Sequence, residues 1–428
     1  MTHLTFIQDC LIPYWYIYVL SLFFVILIYI PIFKNFANSI IDPAFYALIT
    51  AVFANTVPLF LFFIKRIPLE LFIYFVCCEF IFWISYFIFR TQAKENKLYI
   101  YNDTHLSNSL YVILFLLLII CQLLTYIISG IPIFNEDRLN TYSKGNGIGI
   151  LSYIINFSTI YCIIYSFYLI GKKTKRIICV FILTVIAIFA LLTGSKSSIL
   201  IIAFGYYFYK YYYRREKINL KKFKRFIPLF IIFPIMILMI QRNLGLTDAI
   251  AGVWNRFIAN GDGYWQAYPE NTLDNINIKH PWVYLFSRIL APFRIISYDQ
   301  IETVIGIQLN SIVNADINII GGSNTRLPVL SWILFGWKGL ILSSILGTIT
   351  ALWKTRLPSI LPSGILSVIF YAYIYISLIS VITDPLLSSG KVFDITIGIV
   401  IYLIAVIMLR HGKIRLKINR INNTSTQC

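Results

Sequence analysis

Ionisable side chains are scarce in this sequence, and many that could do chemistry fall between residues 242 and 328. Three of them can exchange protons: Asp262, Glu270 and His280, of which a histidine does so most readily near neutral pH. Guanidinium groups accompany them, and a guanidinium binds phosphate oxygens through two N–H groups at once. These residue types predict a phosphate or diphosphate site, where cations stabilise a departing anion. The cations considered for it are Lys196, Arg242, Arg256, Arg288 and Arg326.

Two glycine-containing turns favour the same chemistry. Residues 194–197 (Gly-Ser-Lys-Ser) lead directly into an apolar run, and residues 321–326 lead into another. Backbone N–H groups at the start of a helix attract anions, so each turn could hold a cation beside a bound phosphate. Glycine, serine and asparagine are also ordinary turn residues, and the alternative is that both turns only connect helices. The turn residues proposed for anion binding are Gly194, Ser195, Ser197 and Asn324.

Aromatic residues are frequent between 242 and 328, and one interpretation is that they pack this stretch on the membrane surface. A second candidate lies elsewhere, because Glu79 stands in the middle of an apolar run, where a carboxylate is either functional or hydrogen-bonded within the bundle. The aromatic residues considered in this stretch are Tyr264, Trp265, Tyr268 and Trp282.

Several function classes are disfavoured. The sequence has neither a GxxxxGK[ST] nor a GxGxxG motif, so nucleotide chemistry lacks a phosphate-binding loop. Its seven cysteines form no CxxC pair, which argues against a zinc site or a disulfide framework. No metal is expected.

The elements that must position these residues are membrane helices. Of 428 residues, 59% are apolar and only 13% are charged, with a mean hydropathy of +0.78, whereas soluble domains carry about 25% charged residues. We predict an all-α polytopic integral membrane protein with about eleven transmembrane helices of about 20 residues each. The predicted spans are 11–33, 41–64, 68–89, 106–129, 148–170, 176–194, 196–213, 226–241, 329–353, 359–382 and 393–410.

Charge predicts the orientation of these spans. The sequence has 36 Lys and Arg against 18 Asp and Glu, a net charge of +18. Most of the excess lies in the loops 171–176 and 210–225 and in the tail, which are therefore predicted to be cytoplasmic. The N-terminus is then outside, the C-terminus is cytoplasmic, and the charge indicates membrane orientation and not nucleic-acid binding. Four segments result: helices 1–8 (1–241), a long extracytoplasmic loop (242–328), helices 9–11 (329–410) and a basic tail (411–428).

Within this predicted layout, short motifs resemble those of a known family. A T-G-S-K-S turn spans 193–197, an Arg-Asn pair opens the long loop at 242–243, and a G-x-N-x-R-x-P-V approach to the next span covers 322–329. The chain resembles the Wzy-type O-antigen and capsule repeat-unit polymerases. One departure is Lys196, where this turn commonly carries arginine. Lysine keeps the charge but cannot bind phosphate bidentately.

The resemblance implies a GT-C-like glycosyltransferase architecture in the bacterial inner membrane. The enzyme would polymerise undecaprenyl-diphosphate-linked oligosaccharide repeat units at the outer leaflet, without a cofactor or metal. In that role Lys196, Arg242 and Arg326 neutralise the diphosphates, while Arg256 and Arg288 place the lipid donor or acceptor. The resemblance also implies that Asp262, Glu270 or His280 takes the proton of the acceptor hydroxyl. Sugar rings would stack on Tyr264, Trp265, Tyr268 and Trp282, the alternative being that these side chains only pack the loop. The implied partners are the lipid-linked donor and acceptor, membrane lipid, a chain-length regulator and a flippase, with no nucleic acid.

Three alternatives remain open at this stage. One is a non-catalytic membrane scaffold, which would need no basic turns beside the bilayer. An O-antigen ligase of similar architecture shares the donor chemistry. A lipid-linked oligosaccharide flippase or other transporter differs in class, and it would be expected to line its helices with charge and to lack a long outer loop.

Overall fold

The chain is helical throughout the part that the structure describes. A computed structural model describes residues 1–91, 104–134, 148–195, 198–216, 227–242, 244–291, 293–297, 300–314, 322–361 and 364–424. These ranges contain helices and no strand. Eight helical stretches in them are long and apolar enough to cross a membrane. The fold is thus that of an all-helical polytopic membrane protein, as the composition predicts.

Numbered in chain order, the α-helices of four or more residues in the described ranges are α1 Trp15–Phe36, α2 Pro43–Phe63, α3 Leu69–Phe89, α4 Thr104–Ser129, α5 Ile148–Gly171, α6 Arg176–Leu192, α7 Leu200–Tyr207, α8 Ile227–Arg242, α9 Leu246–Ile258, α10 Asp262–Ala267, α11 Pro281–Leu290, α12 Ile305–Val313, α13 Leu327–Phe335, α14 Gly339–Ala351, α15 Leu357–Ile360, α16 Ile365–Leu378 and α17 Pro385–Thr424.

Three of the eleven predicted spans correspond to shorter helices. The helices α6 and α8 have 17 and 16 residues, or about 25 Å each, which is less than the roughly 30 Å of a bilayer core. The helix α7 has eight residues and continues as a π-helical stretch, Phe208–Tyr213. The count of eleven therefore stays a prediction.

The helices form two compact units, each described by itself. The first contains Met1–Asn96, Ile218–Leu361 and Ile374–Phe393, and the second contains Lys97–Lys217, Pro362–Tyr373 and Asp394–Cys428. All the candidate residues between 242 and 328 therefore belong to the first unit. The turn at residues 194–197 belongs to the second.

Local sequence explains where α2 begins. Asp42 is the N-cap, and its Oδ1 accepts a hydrogen bond of 2.9 Å from the Ala44 N–H, while Pro43 takes the first helical position. Oδ1 of Asp42 also accepts from the Tyr375 hydroxyl at 2.7 Å, and the Lys354 ammonium donates to that hydroxyl. A buried polar cluster thus fixes this end of α2, which is predicted to be cytoplasmic.

Most of the described residues between 242 and 328 lie in short helices. In this stretch, helix α9 packs on α8 and α2, and helix α10 also packs on α2. The rings of Phe257 and Phe53 are 5.2 Å apart, and Phe53 is the central residue of the 21-residue helix α2. This segment therefore lies along the membrane-spanning helices as far as their middle.

The predicted ninth span is broken into two helices that fold against each other. Gly336 ends α13 with a φ of 53°, which favours glycine, and a Cβ on Gly339 would lie 2.4 Å from the Ser331 carbonyl oxygen. The helix α13 begins beside the middle of α2, where Arg326 meets Thr50, and ends near the first turn of α3, where the Trp337 indole donates to Glu70 at 3.0 Å. The helix α14 then returns along α3.

Candidate functional site

Asp262 stands where the segment 242–328 meets the middle of α2. It is the first residue of α10, and its Oδ1 accepts hydrogen bonds from the N–H groups of Gly263 (2.8 Å) and Asn324 (3.2 Å). A Cβ on Gly263 would lie 2.4 Å from the Asn324 carbonyl oxygen. Only glycine therefore lets the two turns approach closely enough for Asp262 to accept from both.

The surroundings of Asp262 shift its protonation toward neutral pH. Burial raises the pKa of Asp262 to about 6, while the charges of Arg326 and Arg256 and the two amide hydrogen bonds oppose that rise. The group is thus mostly ionised at pH 7 and binds a proton more tightly than an ordinary aspartate. Such a carboxylate suits a general base.

Arg326 is buried and joins three parts of the first unit. The guanidinium donates to the carbonyl oxygen of Asn260 from Nε (3.1 Å) and Nη2 (2.8 Å), to that of Ile382 (3.3 Å) and to that of Thr50 (3.4 Å). Its residue surface is only 2% exposed. Backbone carbonyls occupy most of its N–H groups, so Arg326 holds together the turns beside Asp262. Its diphosphate-binding role stays a prediction.

A chain of hydrogen bonds links this segment to Glu79 inside the bundle. The Tyr264 hydroxyl donates to Asn55 Oδ1 (3.1 Å), the Asn55 amide donates to the Tyr29 hydroxyl (2.7 Å), and that hydroxyl donates to Glu79 Oε2 (3.1 Å). We call these four residues the interior polar network. Beside it, Trp83 helps to line a cavity of about 10 Å³, which is about the space that one water needs.

The sequence singled out Glu79 but missed Tyr29 and Asn55. An asparagine inside an apolar run was the available signal, because a buried amide needs partners. Tyr29 had no comparable signal, because the chain has 30 tyrosines and many of them lie in apolar runs.

The other two predicted bases lie at the surface. His280 is the exposed N-cap residue of α11, and its backbone N–H donates to the Glu302 carboxylate at 3.3 Å. Glu270 is exposed, with its carboxylate 3.7 Å from the Met1 nitrogen. Neither side chain is joined to Asp262 by a hydrogen bond or ion pair among the described residues. Of the three predicted bases, Asp262 alone is partly buried, with its carboxylate held by backbone N–H groups.

The remaining predicted cations are spread over several elements. Arg256 is exposed on α9 and acts electrostatically on Asp262. Arg288 is half-buried on α11, where its side chain packs on Gly390. Arg242 is the last residue of α8, and its side chain lies outside the described part of the structure. Arg256 is therefore the described cation that remains available beside Asp262.

The turn after α6 is described only in part. Gly194 has a φ of 62°, and the Ser195 N–H donates to Thr193 Oγ1 at 3.4 Å. Lys196 and Ser197 lie outside the described residues. The predicted anion-binding role of this turn stays a prediction.

Three of the four predicted stacking rings are in the interior. Tyr264, Trp265 and Tyr268 are all buried, and Trp265 stacks on Phe6 with ring centroids 4.3 Å apart. No face of these rings is open to a sugar, because helix packing covers them. Trp282 is exposed beside Phe335, so the stacking hypothesis applies to it alone.

The described residues contain no group of three or more histidine, cysteine, aspartate or glutamate side chains that could hold a metal ion. No protein-family model, curated protein or solved structure matches the chain. Its function therefore has to be argued from the geometry of the first unit and from the short motifs in the sequence.

Proposed function

We propose that this chain is a membrane glycosyltransferase that polymerises polyprenyl-diphosphate-linked oligosaccharide repeat units. In this reaction a hydroxyl oxygen of the acceptor sugar attacks the anomeric carbon of the donor. A new glycosidic bond forms, the bond to the diphosphate breaks, and the lipid diphosphate leaves with the electron pair. The acceptor hydroxyl loses its proton to a base.

The setting of Asp262 is the observation that carries the proposal. A base must be ionised at working pH and still bind a proton well, and burial gives Asp262 that property. The two backbone N–H groups fix its Oδ1, which leaves Oδ2 for the acceptor hydroxyl. Arg256, exposed on the neighbouring helix, is the described cation best placed to stabilise the departing diphosphate.

Arg326 acts on this site through Asn260 and Asn324. Its guanidinium holds the Asn260 carbonyl, two residues before Asp262, and its own backbone follows Asn324, whose N–H binds Asp262. Its charge also keeps Asp262 more acidic than burial alone would. This indirect role explains how an arginine of a phosphate-type motif contributes without touching phosphate.

The first experiment is deletion of the gene followed by gel analysis of surface glycan. Loss of a polymerase leaves lipid core bearing one repeat unit. Loss of a ligase leaves no attached repeat, and loss of a flippase leaves no translocated repeat. Long-chain glycan that persists unchanged would exclude the proposal.

The second experiment assigns the base. We expect Asp262→Asn to stop chain growth, because an amide oxygen still accepts both N–H groups but cannot take a proton. The matched variants His280→Gln and Glu270→Gln should still make long chains. Full chain length with Asp262→Asn, at equal amounts of protein in the membrane, would remove Asp262 from the role.

The interior polar network favours a second candidate, translocation of a lipid-linked glycan. Glu79 is hydrogen-bonded at the centre of a membrane-spanning helix, beside a small cavity, and intramembrane carboxylates mark transport pathways in many proteins. Glu79→Gln separates the two functions. A cell that accumulates untranslocated repeats would support transport, whereas a normal supply of translocated single repeats would exclude it.

A further inference from the structure

Seven basic residues lie in two turns of the second unit. Residues 172–176 lead from α5 into α6, and residues 210–215 end the π-helical stretch that follows α7. Six of the seven are exposed, and one is half-buried. We call these residues the basic patch: Lys172, Lys173, Lys175, Arg176, Lys210, Arg214 and Arg215.

The ring of Tyr168 brings the two turns together. The Lys172 ammonium lies 4.6 Å from the centroid of this ring, and the centroid of the Tyr213 ring lies 5.3 Å from it. Gly171 has no side chain and so leaves room for the Tyr209 hydroxyl beside the first turn. Because Tyr213 directly precedes Arg214, the bases of both turns lie around Tyr168 and form one surface.

Carboxylates are scarce at the basic patch. The Glu216 carboxylate lies 2.6 Å from Lys210 and 2.9 Å from Arg214. In the part of the chain that the structure describes, no other carboxylate forms an ion pair with the patch, and the next ten residues, 217–226, add five bases and no acid in sequence. Seven bases and one acid leave an excess of six positive charges, which repel one another unless anions bind.

Helix α6 shows the depth at which the patch lies. One face of this helix is apolar and exposed along most of its length, and the residues on it are Ile177, Val180, Phe181 and Ile188. The opposite face, with Cys179 and Ile182, is buried. In a protein of membrane helices, bilayer hydrocarbon is the solvent that suits such an exposed face. Arg176 precedes Val180 by one turn and lies about 6 Å beyond it on the same side. The patch therefore begins where the apolar surface ends, at the level of the lipid headgroups.

We propose that the basic patch binds the phosphate groups of anionic phospholipids in the leaflet at this end of α6, which is predicted to be the cytoplasmic leaflet. The arginines bind phosphate oxygens bidentately, and the lysines attract them as point charges. Phospholipid is the occupant because a cationic surface adjoins an exposed apolar face here, just as the phosphate adjoins the acyl chains in one lipid molecule. The lipid site is in the second unit and is independent of the proposed glycan chemistry.

Lipid titration of the purified full-length protein, followed by native mass spectrometry, tests this surface. The protein in neutral detergent micelles is titrated with phosphatidylglycerol, and phosphatidylcholine with the same acyl chains is the comparison without net charge. The variant Lys173→Gln/Arg176→Gln removes two bases of the patch. The matched control, Lys65→Gln/Arg66→Gln, removes a lysine and an arginine from the exposed turn between α2 and α3. The match extends to the backbone, because φ is 57° at Lys65 and 58° at Lys173.

The expected effect follows from the charges removed. A base near the lipid surface strengthens the binding of anionic lipid about fivefold, which corresponds to about 1 kcal/mol. The patch variant should therefore bind phosphatidylglycerol about 25-fold more weakly than the native protein, and the control should differ from it by less than about twofold. Neither variant should change the binding of phosphatidylcholine. Equal weakening by the two variants, or an unchanged affinity of the patch variant, would overturn the proposal.

Inorganic phosphate distinguishes a lipid site from a site for a free anion. Added at the same concentration as phosphatidylglycerol, it should leave the lipid bound, because the acyl chains add contacts along α6 that phosphate cannot make. Displacement of the lipid under this condition would overturn the proposal, since the patch would then bind phosphate without the rest of the lipid.

A bilayer measurement avoids detergent. A styrene–maleic acid polymer excises the protein with its neighbouring lipids from vesicles in which phosphatidylglycerol is a minor component beside phosphatidylcholine. Particles of the native protein and of the control should be enriched in phosphatidylglycerol relative to the vesicles, and those of the patch variant should be less enriched. Native particles with the lipid composition of the vesicles would contradict a lipid site at the patch.

Discussion

Replacement of Arg326 by methionine tests how the site is held together. The guanidinium donates to three backbone carbonyls, and methionine fills similar space without any donor. The Asn260 carbonyl loses two short hydrogen bonds, which costs about 2 kcal/mol of stability. The two longer hydrogen bonds, to Thr50 and Ile382, together add about 1 kcal/mol. We therefore expect the free energy of unfolding to fall by about 3 kcal/mol.

The assay is equilibrium unfolding in mixed micelles, followed by tryptophan fluorescence. Arg66→Met is the control, because that side chain is exposed in the turn between α2 and α3, and we expect it to change stability by less than about 0.5 kcal/mol. Arg326→Lys should lie between the two, since an ammonium keeps the charge but cannot reach three carbonyls. If Arg326→Met unfolds at the same denaturant concentration as the Arg66→Met control, the positioning role is wrong.

Three further predictions concern the same unit. Gly263→Ala should destabilise the protein and reduce chain growth, because its Cβ would lie 2.4 Å from a backbone oxygen, whereas Gly149→Ala, with nothing within 4 Å, should be neutral in thermal unfolding. Tyr264→Phe should cost about 1–3 kcal/mol of stability by leaving the buried Asn55 oxygen without its donor, and no change in unfolding would contradict the hydrogen bond. The polymerisation rate should rise with pH through about 6 as Asp262 ionises, and a rate that is flat between pH 5 and 7.5 would contradict its role as base.

Composition and apolar run lengths predict the helical membrane fold because burial in lipid requires those properties of any chain. They do not predict the break at Gly336. The predicted ninth span, 329–353, has the same composition whether it crosses the membrane once or folds back. Its fold depends on the φ of Gly336 and on the fit of Gly339 against Ser331.

The surroundings of the candidate residues depend on packing that spacing does not reveal. Arg326 has the residue type of a phosphate ligand, but its partners Thr50 and Asn260 are distant in sequence and occupy its N–H groups. Similarly, histidine is the usual choice of base near neutral pH, yet Asp262 is the group that burial shifts toward that range. Residue chemistry therefore predicted the set of candidates, and burial distinguished among them.

Reconstituted polymerisation tests the central claim most directly. The purified protein alone, in proteoliposomes with a fluorescent polyprenyl-diphosphate-linked repeat unit, should convert single repeats into a ladder of longer glycans with release of the lipid diphosphate. Folded Asp262→Asn protein should leave the single repeat unchanged. If the folded native protein forms no product of two or more repeats from its cognate lipid-linked unit, the chain is not a polymerase.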